Sequence, residues 1–167
     1  MKRIDSYAKV LSLLASKKLL EREELKPMII RFLRTGTETG NFHATAHYRS
    51  MNASKKIGSI NRSDSAYHKF CSNNLSHDHI VPCCVQYDML LNSIEKDEGS
   101  IKAFMEKFGR RATITREENE KLSKNSLSRK MPKGFYEKGN KLYNNPLARY
   151  IETGIEYEVM PKRKSHD

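Results

Sequence analysis

The stretch from Asn74 to Pro82 restricts the fold more than any other. A polar run ends in His77-Asp78-His79, passes directly into Ile80-Val81 and is closed by Pro82. The β-branched pair favours extended backbone, and the proline removes a ladder donor and ends the strand. Successive side chains of a strand alternate faces, so His77 and His79 share one face and Asp78 takes the other. Where a strand frays that alternation loosens, and all three side chains can approach one small ion. Two imidazoles and a carboxylate are the ligand and base types of metal-assisted hydrolysis.

Helical periodicity surrounds this stretch. Ile4, Tyr7, Val10, Leu11 and Leu14 predict a first helix, with Asp5 or Ser6 as its cap. Leu20 to Leu33 predict a second, begun or kinked at Pro27 and stopped before Gly36. Residues 35–76 have weak apolar periodicity, with a short helix expected across Ala44 to Ile57. His43 and His47 stand one helical turn apart there and read as surface histidines, since no third ligand is near. After Pro82, Val85 to Ser93 predict an amphipathic helix, and Ile101, Phe104, Met105 and Phe108 another, ended by Gly109.

Arg110 to Ile114 then read as a strand. Thr115-Arg116-Glu117-Glu118 follows as a capping box opening a helix to about Lys124. Farther on, Asn144-Asn145-Pro146 opens a short helix ended by Gly154. The alternation of Ile155, Tyr157 and Val159 with Glu156 and Glu158 predicts a strand with one buried face. The fold class is therefore α+β and mainly helical, a single domain over 1–167. It comprises a helical hairpin over 1–35, a core over 75–125, a C-terminal segment over 126–160 and a basic tail over 161–167. With the helical insertion lifted out, the core is a strand, a strand and a helix.

Asp78-His79-Ile80-Val81-Pro82 resembles the opening strand of the HNH, or His-Me finger, nuclease family. That family builds a β-hairpin and a helix around one divalent cation. The resemblance implies a small ββα-metal-like unit in which His79 is the general base for water and Asp78 holds the metal. Asn119, just past the capping box, is the matching second ligand; Glu118 is already explained as a cap. His77 is a further ligand or orients the site. The asparagine that steadies the histidine loop falls to Asn92 or Asn74. The implied cofactor is one divalent ion, Mg²⁺ first, with Mn²⁺, Ni²⁺ or Zn²⁺ as alternatives. The insertion between the strands is longer than the family's usual loop, and the cysteine knuckles flanking many members are missing.

Charge points to the same partner class. Thirty-one Lys and Arg against 20 Asp and Glu leave a net +11, which suits a polyanion whose counterions are released on binding. Arg49, Lys55, Lys56 and Arg62 lie among hydroxyls, amides and tyrosines, a mixture suited to a phosphate backbone, with Arg129 and Arg149 as candidate phosphate clamps. The expected partner is nucleic acid, DNA before RNA, with a dimer allowed. No apolar run reaches the length of a membrane span, and Cys71, Cys83 and Cys84 do not make a disulfide framework, so the expected setting is the cytoplasm. Two other classes compete with a metal-dependent endonuclease. One is a non-catalytic nucleic-acid-binding protein. The other is a zinc-stabilised interaction module using His68, Cys71, His77 and Cys83 or Cys84.

Overall fold

The computed structural model describes residues 3–37, 46–63, 65–92 and 95–161. Within it the chain forms two compact units, each assembled from separated segments. His43 and the tail from Lys162 lie outside the described residues.

The first unit, 1–38 with 79–110 and 129–131, is helical. It holds α1 (Arg3–Ser16), α2 (Lys26–Gly36), α5 (Cys83–Asn92) and α6 (Glu98–Phe108). α1 packs on α6 and α2, and α2 packs on α5. Ala8 and Leu11, Ile29 and Leu33, and Ile101 and Met105 supply fully buried apolar faces at helical spacing. α1 starts ahead of Asp5, which falls in its first turn rather than at its cap. Pro27 sits in the first turn of α2, where its missing N–H is harmless, so it begins the helix instead of kinking it. Gly36 lies close to α1 and α6: a Cβ there would come within 2.5 Å of the Met105 methyl and 3.0 Å of the Tyr7 Cβ, so these side chains would have to shift. Asp97 caps α6, accepting the Ser100 N–H at 3.0 Å. Buried Cys83 serves as a small core residue.

The second unit, 39–78 with 111–128 and 132–167, contains a four-stranded sheet in the order β2-β3-β1-β4. The strands are β1 (Tyr48–Ser50), β2 (Leu75–His79), β3 (Arg111–Thr115) and β4 (Tyr157–Val159). β1 runs parallel to β3, pairing Tyr48 with Ala112, and antiparallel to β4, pairing Ser50 with Tyr157. The Ile80 N–H donates to the Arg110 carbonyl at 3.1 Å, just past the end of β2 and just before β3. Given that bond, only an antiparallel run lets these two five-residue strands overlap.

Helices α3 (Met51–Gly58), α4 (Tyr67–Asn74), α7 (Arg116–Lys124) and α8 (Ala148–Thr153) complete this unit. Ala53, Ile57, Cys71 and Leu75 form a small core against Tyr67 and Phe70. The capping box at Thr115 and Glu118 is complete, and Gly154 closes α8 at φ 62°, in the left-handed region that glycine enters freely.

The expected order of strand, helical insertion, strand and capped helix is therefore present as elements. Two expectations fail. β1, unforeseen because three residues carry almost no periodicity, lies inside the sheet, and α3 starts only at Met51. The last strand buries no face at Val159, which is 72% exposed at the sheet edge.

Candidate functional site

The second unit carries two polar groupings, one buried and one open. The buried one starts from Asp78 on β2. One oxygen of its carboxylate accepts from the Arg149 guanidinium at 2.6 Å and from the Tyr150 hydroxyl at 2.7 Å. Both donors stand in the first turn of α8. The other end of the Arg149 guanidinium donates to the Leu127 carbonyl at 2.8 Å, and its side chain is only 1% exposed. Burial pushes the Asp78 carboxyl above the ordinary carboxylate range, against the pull of Arg149 and Tyr150. Burial first, and then the Asp78 charge, push the Tyr150 phenol well above its usual value. A buried guanidinium with its carboxylate is a tie between strand and helix, costly to form and costlier to break.

The open grouping starts from the capping box. Glu118 accepts the Thr115 N–H at 2.8 Å, the Ser50 hydroxyl at 2.5 Å and the Asn52 amide at 3.0 Å. Ser50 in turn caps α3 by accepting the Ala53 N–H at 3.0 Å. One carboxylate thus fastens the start of α7 to the start of α3. Glu118 itself, with Thr115 and Glu117, lines a cleft of about 430 Å³ whose other walls are Asn52, Lys55, Lys56, Lys121 and the Gly154-Ile155 turn. Lys56 donates to Glu117 at 2.8 Å, and this bond holds the Glu117 carboxyl down at about 2. Among the described residues neither Lys55 nor Lys121 has a carboxylate partner, so the cleft keeps two cations available to an anion.

The expected site residues are distributed as follows. His77, Asp78 and His79 all lie half-buried on β2. Asn119 is exposed on α7, and it is Glu118, not Asn119, that turns inward from that helix. Asn92 is exposed at the end of α5, where its amide donates to the Asp88 carbonyl of its own helix at 2.9 Å. The other candidate, Asn74, likewise donates to its own helix, at the Phe70 carbonyl, at 2.8 Å. Lys55, Arg62 and Arg129 are exposed, and Arg49 and Lys56 are half-buried. Arg149 requires correction as a surface phosphate clamp. Its guanidinium is inside, engaged to Asp78 and Leu127, because a 1% exposed cation must have a counter-charge.

A metal fit can be judged from the donors. One oxygen of the Asp78 carboxylate is taken by two hydrogen-bond donors, and the Asn119 side chain stands in solvent. Among the described residues no group of three His, Cys, Asp or Glu side chains is placed to hold an ion. In this arrangement Asp78 offers an ion only its other oxygen.

Sequence reasoning passed over Ser50, Asn52, Lys121 and Tyr150. Only Ser50 carried a local signal, a hydroxyl three residues ahead of the Ala53 amide at a helix start. No helix of the described residues is long and apolar enough to cross a membrane. Compared with family models, curated proteins and solved structures, the chain matches none of them.

Proposed function

We propose that this protein binds nucleic acid, with the open cleft of the second unit as a phosphate-contacting site. The observation that carries this reading is the pairing state of the cleft's charges. Lys56 offsets Glu117 and three neutral donors hold Glu118, so Lys55 and Lys121 face a single uncompensated carboxylate in the cleft and leave it a net positive charge for an incoming anion. The Asn52 amide lines the same cleft and adds a neutral polar contact. A chain of net +11 draws a polyanion to such a site from a distance.

Fluorescence anisotropy with labelled oligonucleotides over a series of salt concentrations tests this. Binding should weaken linearly on a log–log plot against salt. Lys55→Gln with Lys121→Gln should lower the slope by roughly 2, about 0.9 for each phosphate that is no longer neutralised. An unchanged slope in that variant, or no binding at low salt, overturns the reading.

Metal-dependent phosphodiester hydrolysis is the second reading. It is supported by the antiparallel β2-β3 pair leading into a capped helix, and by the two histidines on β2. The engaged Asp78 carboxylate ranks it below simple binding. Plasmid cleavage with Mg²⁺, Mn²⁺ or Ni²⁺, stopped by EDTA and lost in His79→Ala with the fold intact, would raise hydrolysis to first place. Retention of plasmid without cleavage under every divalent ion would remove it.

A further inference from the structure

Resting on the nucleic-acid reading, we infer that the loop from Pro132 to Pro146 is a stacking platform for single-stranded nucleic acid. Tyr136 and Tyr143 would take the bases, and Lys133, Lys138 and Lys141 the phosphates. The loop is built, not slack. Phe135 and Leu142 are 3% and 5% exposed and anchor it to the unit. The Asn144 N–H donates to the Phe135 carbonyl at 3.0 Å and closes the loop at its neck. Tyr136 and Tyr143 are the residues immediately inside that closure, so the bond that joins 135 to 144 puts both at the neck of the loop.

Asn140 is the internal hub. Its amide donates to Glu137 at 3.1 Å, its side-chain oxygen accepts the Leu142 N–H at 3.0 Å, and its carbonyl accepts the Tyr143 N–H at 2.8 Å. The turn folds so closely that a Cβ on Gly134 would lie 2.8 Å from the Asn140 side chain.

What this scaffold presents outward is unusual. Tyr136 is 57% exposed and Tyr143 43%, so both present surface to solvent. The Phe135 ring meets Tyr136 edge-on at 5.0 Å and sets its orientation. Lys138 and Lys141 are exposed, and Lys133 is 93% exposed with only a loose 3.4 Å pairing to Glu137. Exposed aromatic faces interleaved with cations match the two needs of an unpaired strand, whose bases are free to stack and whose phosphates need neutralising. A duplex keeps its bases stacked inside and offers the tyrosines nothing. Because the loop is held in place before binding, little ordering entropy opposes the contact.

The test compares a labelled oligothymidine strand with a labelled duplex, using the full chain. Tyr136→Leu and Tyr143→Leu keep apolar bulk and remove the aromatic face; each should weaken single-strand binding by about 5- to 150-fold. Tyr136→Phe and Tyr143→Phe should bind as the parent, and duplex affinity should be unchanged in all four, which also shows that the fold survives. Leucine variants that bind the strand as the parent does, or that lose duplex binding equally, overturn the platform while leaving the wider nucleic-acid reading intact. A parent protein that binds neither probe overturns both.

Discussion

At the scale of single residues, the outcome for Asp78 shows how a correct chemical reading can meet an unforeseen neighbour. A carboxylate between two histidines is a natural metal ligand, but Arg149 and Tyr150 stand 71 and 72 residues away in sequence and meet it only in the fold. Nothing local to β2 announces them. If the pair acts as a tie, Asp78→Ala should cost about 3–5 kcal/mol, because it strands a buried guanidinium. Asp78→Ala combined with Arg149→Met should cost clearly less than the two single changes added together, as read by urea unfolding of all four proteins. Additive costs would show that the two groups do not depend on each other. The Glu117–Lys56 contact makes a separate prediction, on pH. The folded carboxyl titrates at about 2 against an ordinary 4.5, so its stabilising contribution is present above 4.5 and is lost as pH falls toward 2. With side chains 31% and 68% exposed, that contribution is small and screened by salt. The direct measurement is an NMR titration of the Glu117 carboxyl carbon, and Lys56→Gln should return its midpoint toward 4.5.

At the scale of elements, legibility followed the physics of each signal. The capping box was visible because both of its bonds lie within four residues and use fixed residue types. The helices α1, α2 and α6 were visible because an apolar stripe repeats over several turns. β1 was not, since Tyr48-Arg49-Ser50 is too short to show alternation and owes its place to β3 and β4 on either side. The same limit explains the open cleft. Glu118 could be read as a cap, yet Ser50 and Asn52, 68 and 66 residues away, turn that cap into a clasp between α3 and α7. The Tyr136–Tyr143 loop follows the same limit, since its neck is a backbone bond between Phe135 and Asn144 that no local pattern announces.

At the scale of the whole chain, the helical insertion between β2 and β3 acquires a reason. Read as a detour within one small unit it is too long. In the fold it leaves the sheet-bearing unit at His79, pairs its helices α5 and α6 with the N-terminal α1 and α2, and returns at Arg111. Each unit therefore owns a core, one of helix faces and one under a sheet. Separate cores imply separable stability, since local opening follows the contacts that close it. Leu33 is fully buried in the helical unit, and Leu33→Ala should destabilise that unit by about 2–5 kcal/mol through the cavity it leaves. Native-state hydrogen exchange should then show faster amides throughout α1, α2, α5 and α6, with β1 and β3 protected nearly as before. An equal loss of protection in the sheet would mean that the two cores melt as one, and the chain would then be a single cooperative domain with a long interrupted sheet unit.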